Sequence, residues 1–416
     1  MPDAITFADP HTADQMTVPL ELVDLSDQQW FVNGPPHILF TRMRETAPLV
    51  WNHAAVGDSF WSVLRAEDIV TANKNSQLFS STRGFFTDQD VIAPLEMLSD
   101  MLMLKDPPAH TKYRMIFQHG FTPKRVAMLE DDVRDWVVEK LDVARERGTM
   151  DVVPDLALPV PLRVIGSLFG APVSDLHKLG HWTSEFNAAI FEGSNSTRGP
   201  RAFAELAEYF PTLLNGRTDS DTLIGILLRA EVDGQKLTPQ EVMVFAGLLV
   251  FAGNDTTRNA ISHGIRLLAE HPDQYTALRD NPSLIPYAIE EILRLSIPLN
   301  FMGRVATQDT ELGGTAITQG ERVALWYASG SRDSRMFPDP DRFDITRTPG
   351  NHLAFGGGGR HFCLGAPLAR LELRVVLEEL VRRVDQPTLS GPVVRAGSNM
   401  VNGLKSVPIT FTPRTT

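Results

Sequence analysis

The longest unbroken pattern in this chain is a helix that demands a large fold around it. Thr238-Pro239-Gln240-Glu241 reads as a capping box with proline at the first helical position. The helical pattern then runs to Glu270, where Pro272 stops it. About 32 residues at 1.5 Å each predict a rod of ~48 Å, enough to cross a globular protein from side to side. Both faces are apolar from Val242 to Phe251, as in a helix enclosed by protein.

The middle of that helix reads Ala252-Gly253-Asn254-Asp255-Thr256-Thr257. Gly, Asn, Asp and Thr are mediocre or poor helix formers, and inside a buried helix they cost stability. Leu248, Ala252 and Thr256 share one stripe at spacing four, with Phe251 and Asp255 beside it. The small Ala252 lets something bulky approach. A Thr hydroxyl that bonds back to the helix, or breaks it, predicts a kink carrying an acid and an alcohol. From these residues alone, a kink without chemistry is the competing reading.

The only cysteine lies in Phe355-Gly356-Gly357-Gly358-Gly359-Arg360-His361-Phe362-Cys363-Leu364-Gly365-Ala366. A glycine run lets backbone take positive φ and lie flat against a large planar object. Helical sequence follows Gly365, so the sulfur is expected just before a helix N-terminus, where free amides and the dipole favour a thiolate. Such a thiolate can be the axial ligand of a haem. A buried small cysteine beside a flexible loop is the plainer alternative.

Three further sets stand out. His110 and Arg114, after Pro107-Pro108, fall one turn apart on a helix and can hold carboxylates, although a solvated surface pair has the same spacing. Glu291 and Arg294 form an i,i+3 ion pair on a helix opening near Ser283. Arg304 lies on an expected strand beside the apolar Leu299, Phe301 and Met302.

Elsewhere, Leu49–Asn52 and Phe60–Leu64 read as strands, Thr122 opens a helix to about Arg147, and the stretch from Phe79 to Asp100 lacks a clear period. The segment 193–200 interrupts amphipathic helices and is the expected mobile lid. With no repeats and no evident linker, residues 1–416 read as one domain. A helical lobe covers mainly 105–298 and 364–384, and a β-rich lobe mainly 36–80, 299–330 and 385–416.

Composition narrows the function. The formal charge of −12 argues against a general nucleic-acid binder. A single cysteine excludes an internal disulfide and multi-Cys zinc, and suits a reducing cytoplasm. No apolar run reaches the ~18–20 residues needed to span a bilayer. Asp3, Asp9 and Asp14, with no Lys or Arg nearby, do not resemble a secretory signal.

The Cys loop, the acid–alcohol helix, the Glu-x-x-Arg helix and Pro340-Asp341-Arg342-Phe343 occur in one order. Together they resemble the cytochrome P450 family of haem-thiolate monooxygenases, specifically the bacterial type. The resemblance implies a mainly α fold with a smaller β-rich lobe, a triangular prism with a long central helix over haem b. By it, Cys363 ligates the haem iron, and Phe355, Gly356, Gly365 and Ala252 line the cofactor. His110, Arg114, Arg304 and His361 hold the haem propionates. Glu291, Arg294 and Arg342 form a structural ion-pair cluster. Asp255 and Thr256 supply protons during oxygen activation.

Two departures from the family pattern are visible. Gly356 stands seven residues before the cysteine, where the family usually has Phe, and Phe355 lies one earlier; this loop resembles the branch acting on sterols, terpenoids and methyl-branched lipids. Ser331 precedes Arg332-Asp333 where the family often has Asn.

The implied reaction is hydroxylation of an apolar small molecule with one atom of O2. Leu248, Phe251, Ala252, Leu299, Phe301, Met302 and Val401 are candidate walls, and Phe85–Met101 a candidate roof. No nicotinamide or flavin fingerprint is present, so NAD(P)H acts only through a separate ferredoxin and reductase. Lys112, Arg114, Lys124, Arg125, Arg360 and Arg370 are candidates for a basic ferredoxin-docking face. A monomer is expected. The alternatives are a peroxide-driven haem oxidase and a non-catalytic haem sensor or binding protein.

Overall fold

The computed structural model describes residues 7–55, 57–87, 100–192, 196–214 and 222–414. The long helix spans Pro239–Glu270. Thr238 Oγ1 accepts from Glu241 N at 3.2 Å, and the Glu241 carboxylate accepts from Thr238 N at 2.7 Å. The start is thereby fixed from both sides. Helices Pro159–Phe169, Leu176–Glu192, Ile285–Ser296 and Ala366–Arg383 pack against it. The α-helical pattern continues through Ala252–Thr257, so the expected break is absent. Thr256 Oγ1 donates back to Ala252 O at 2.6 Å, which satisfies the hydroxyl without displacing a backbone bond.

A five-stranded sheet runs in the order Leu49–Asn52, Phe60–Val63, Arg322–Leu325, Met302–Ala306, Phe79–Ser80. The pair 60–63 with 322–325 is parallel and the other pairs are antiparallel. Trp326, fully buried just after this sheet, gathers Phe31, Phe40 and Phe301 at ring distances of 5.6, 5.3 and 4.8 Å. A second sheet joins Val384–Leu389, Pro408–Pro413 and Thr149–Asp151. Its last member ties a segment surrounded by helices to the distant 384–413 region. The helix expected over 122–147 is two, Pro123–Ala127 and Glu130–Arg147. Glu130, Asp131 and Asp132 make an acidic first turn, which favours a fresh helix start there.

Among the described residues Glu291–Arg294 is the most deeply buried ion pair. Arg294 donates through Nε and Nη2 to both Glu291 oxygens, at 2.7 and 2.8 Å. Its Nη1 donates to the carbonyls of Ser331 at 3.0 Å and Pro340 at 2.6 Å. The backbone of Ser331 thus serves the cluster, while its hydroxyl accepts from Leu353 N.

Arg342 does not take the expected place. Its side chain is 66% exposed and reaches only Asp344, at 4.0 Å. Arg347 supplies the second guanidinium instead, with Nε 3.2 Å from Glu291 Oε2. Arg342 contributes its carbonyl, which accepts from Arg294 Nη2 at 3.3 Å. The reason is local geometry: in this irregular segment the chain turns the Arg342 side chain outward and returns at Arg347. Removing the Arg347 guanidinium from the buried carboxylate therefore carries the larger cost. Arg347→Met is expected to lower folding stability by about 2 kcal/mol, and Arg342→Met by less than about 0.5 kcal/mol, read from urea unfolding midpoints.

Candidate active site

The Cys loop folds as a glycine arch. Gly356, Gly357, Gly358 and Gly359 have φ of +90°, +62°, +101° and +81°, the left-handed side that other residues avoid. Space is equally restrictive: a Cβ at Gly359 would lie 2.2 Å from Asn73 O. Asn73 ends the Ala66–Lys74 helix and holds the arch, donating from Nδ2 to Gly356 O at 2.8 Å. Cys363 N donates to Phe355 O at 3.0 Å, which closes the arch and brings Phe355 under the cysteine backbone. Gly365 caps the Ala366–Arg383 helix with an ordinary φ of −80°.

The Cys363 side chain is open to a water-sized probe, yet burial is the leading cause that raises its thiol pKa. Both statements hold for a sulfur facing an internal space. Backbone N–H groups of Gly365 and Ala366 and the charges of Arg114 and Arg370 pull the pKa the other way. The sulfur thus already has anion-stabilising neighbours, and a metal cation would supply the remaining stabilisation.

A cluster of donors stands close by. His110 is 1% exposed and neither of its ring nitrogens has a hydrogen-bond partner. Its ring centroid lies 4.3 Å from that of His361. Arg114, one turn along the Ala109–Gln118 helix, donates to Phe362 O at 2.6 Å. Arg304 is 5% exposed and its Nη2 donates to Asn73 Oδ1 at 3.2 Å. Burial lowers the His110 pKa to about 4, with Arg114, Arg360 and Arg304 adding to the shift and Asp106 opposing it. Burial lowers that of His361 to about 2, helped by Arg304, His110 and Arg114. The four residues named from sequence therefore meet, and the solvated-pair reading of His110 and Arg114 does not hold. An unpartnered buried imidazole among guanidinium groups calls for an anion.

On the long helix, Asp255 is buried and ion-paired with Arg258, while Asn259 Nδ2 lies 3.4 Å from its Oδ2. Asn259 is fixed in turn by Leu404 N, which donates to its Oδ1 at 3.1 Å. Phe251, Ala252 and Thr256 are half-buried although their neighbours on the helix are mostly buried. That pattern marks a helix face turned towards open space inside the fold.

The candidate walls divide. Phe251, Ala252, Leu299 and Met302 retain accessible surface, and Leu299 bridges to Val401. Leu248 and Val401 are each 7% exposed. Phe301, 1% exposed and packed on Trp326, belongs to the aromatic core. Phe301 lies just before the Met302–Ala306 strand, and its ring turns onto Trp326 while Met302 stays half-buried. Of the expected roof, Phe85 is anchored through its carbonyl, which accepts from Gly303 N at 2.6 Å; residues 88–99 lie outside the described residues. Within the expected lid, residues 193–195 also lie outside them, and Arg198 opens the helix Arg198–Leu214.

The basic face is thinner than the sequence implies. Lys112 pairs with Asp233 at 2.5 Å, and Arg370 is bound in two places by Glu290. Lys124 and Arg360 are exposed. Among the described residues no helix is long and apolar enough to cross a membrane.

A family profile described as Cytochrome P450 matches residues 204–391. A solved Mycobacterium marinum cytochrome P450, in complex with pseudoionone, superposes with a TM-score of 0.86 at 32% identity, over 95% of this chain and 100% of that one. The chain belongs to the cytochrome P450 family. This P450 is also 34% identical over 413 residues to linalool 8-monooxygenase of Pseudomonas putida, covering 95% of this chain and 100% of that protein. Against the methyl-branched lipid omega-hydroxylase of Mycobacterium tuberculosis (strain ATCC 25618 / H37Rv) it is 36% identical over 389 residues, covering 89% and 90%. The family binds haem b, and this P450 is a haem-thiolate monooxygenase. The residues present fit that group: a thiol facing an internal space, and an unpartnered buried imidazole at His110 beside the Arg114 and Arg304 guanidinium groups and the His361 ring, a donor set suited to carboxylates.

Sequence reading missed Asn73, which holds both the arch and Arg304, and Arg347; no local pattern marks either. Arg258 and Asn259, three and four residues after Asp255, were legible from helical spacing alone.

The His110 shift has a pH consequence. Its folded pKa of about 4 is below the ordinary 6.5, so the unfolded haem-free chain binds more protons between these values. Stability from the neutral ring is full above about pH 6.5 and is lost as pH falls towards 4. Haem-free protein should lose melting temperature across that window, and His110→Gln should flatten the loss. Haem loading should flatten it too, because a carboxylate facing the ring raises its pKa.

Proposed function

We propose that this P450 hydroxylates an apolar small molecule of the terpenoid, sterol or methyl-branched lipid class, in the cytoplasm and as one domain. The observation that carries this reading is the apolar character of the half-buried side chains around Ala252 and Thr256. Phe251 adjoins Ala252 on the helix and the Phe186 ring stands 5.8 Å from it, and Leu299 and Met302 are half-buried side chains of carbon and sulfur only. The names of relatives acting on linalool, methyl-branched lipids and steroids support the same class.

The roles follow from chemistry. When bound, the haem supplies oxygen activation and the oxidising power to attack a C–H bond. Cys363 would offer its sulfur as the thiolate ligand, with the Gly365 and Ala366 amides and the bound iron together opposing the burial that raises its pKa. His110, Arg114, Arg304 and His361 would hold the haem propionates. The small Ala252 would leave room for the haem group, and the apolar walls would hold the substrate and exclude stray water.

Thr256 Oγ1 and Asp255 form the proton route. In the structure described above, each is bonded within its own helix, Thr256 to Ala252 O and Asp255 to Arg258. Proton delivery requires the Asp255 carboxylate to loosen from Arg258 and take a proton from solvent, and Thr256 to pass one on. Electrons derive from NAD(P)H through a ferredoxin and its reductase. Lys124 and Arg360 are the exposed cations best suited to an acidic ferredoxin surface.

Three measurements test this. Cys363→Ala should abolish the thiolate-type band of the reduced, carbon-monoxide-treated protein; an unchanged spectrum would refute the ligand assignment. Thr256→Ala should keep consuming reductant while product per electron pair falls and peroxide appears; unchanged coupling would remove Thr256 from the proton route. Linalool, a methyl-branched fatty acid and a steroid should be titrated against a polar sugar while following the haem spin state. A response to the sugar alone would overturn the substrate class.

A further inference from the structure

Glu290 precedes the buried Glu291 on the Ile285–Ser296 helix and serves a different network. Arg370, in the helix that follows the cysteine, donates from Nε to Glu290 Oε1 at 2.7 Å and from Nη2 to Oε2 at 2.8 Å. His352 Nε2 meets the same Oε2 at 3.0 Å. The other ring nitrogen, Nδ1, accepts from Ala354 N at 3.2 Å. An amide can only donate, so the ring proton sits on Nε2 and points at Glu290. Burial alone would raise the Glu290 pKa, but the bonds from Arg370 and His352 overturn this and hold it at about 2.

The fork carries Arg370 onto an aromatic ring. Its Cζ lies 4.5 Å from the centroid of Phe355. The Phe355 ring also stands 5.9 Å from His352 and 6.1 Å from Phe362, and it is 8% exposed. The Phe355 carbonyl is the one that accepts from Cys363 N. The residue that braces the cysteine backbone is therefore held by an ion pair spanning two helices. Arg370 is also among the charges that favour the anionic sulfur.

We infer that Glu290, His352 and Arg370 are positioning residues that fix Phe355 behind Cys363 and set the electrostatic potential at its sulfur. This rests on the thiolate reading above. It removes Arg370 from the docking face: its two forked donors are engaged by Glu290 and one flat side lies on Phe355. Two opposite charges act on the sulfur. Arg370, the nearer to the ring, favours the extra electron of the reduced state, and Glu290 opposes it.

The test is the midpoint potential of the haem-loaded protein, measured with the reduced carbon-monoxide spectrum. The wild type comes first: absence of the thiolate-type band there would sink the thiolate reading itself, before any variant is compared. With that band present, Arg370→Gln should lower the potential and Glu290→Gln should raise it, each keeping the band. Arg370→Lys retains the charge and should stay nearer to wild type than Arg370→Gln; it also serves if the glutamine variant fails to fold. A purely structural clamp would make both charge-removing variants shift the same way, or convert the band to an imidazole type in both. Either result, or no shift in either variant, overturns the inference.

Discussion

A buried imidazole with neither nitrogen bonded, set among two guanidinium groups and a second imidazole, is incomplete as protein alone. Desolvated donors without acceptors are among the costlier defects an interior can carry. His110, His361, Arg114 and Arg304 form such a group in this P450, and Cys363 opens on an internal space nearby. One guest meets both needs: an iron for the sulfur and two carboxylates for the donors. The rest of the architecture can be understood as the means of holding these groups apart until that guest arrives.

Holding them requires residues from widely separated segments to be rigid in one frame. Asn73 does much of this, since its amide donates to the Gly356 carbonyl and its oxygen accepts from Arg304. The glycine arch can approach Asn73 only because it lacks side chains, as the 2.2 Å gap at Gly359 makes plain. Behind it, two adjacent glutamates on one helix divide the labour. Glu291 ties the helix to the irregular 331–347 segment through Arg294 and Arg347, and Glu290 ties it to the cysteine helix through Arg370. Being consecutive, they project in different directions and serve different partners.

What could be read from the chain beforehand follows the range of the interactions. The capping box at Thr238, the turn-spaced His110 and Arg114, and the back-bonding Thr256 are local, and the structure repeats them. The helix runs unbroken through Ala252–Thr257, with Thr256 bonded back to Ala252 O and Asp255 paired with Arg258 inside the same helix. Arg342 and Arg347 share a charge and an aperiodic segment, so spacing could not say which turns inward. Phe301 and Met302 are adjacent apolar residues at a strand start, and only packing on the distant Trp326 decides that Phe301 joins the core. Lys112 looked free because its acid, Asp233, lies in a distant hairpin.

The pairing of Thr149–Asp151 with Pro408–Pro413 has a bearing on biosynthesis. A strand made early waits for one made far later, and Asp151 also receives Val407 N and the Ser406 hydroxyl. Translation must therefore pass residue 413 before this sheet can close, and the cysteine arch is fully synthesised by then. Until that moment the sheet cannot latch, so the Thr149–Asp151 segment finds its partner only after the cysteine arch has been made.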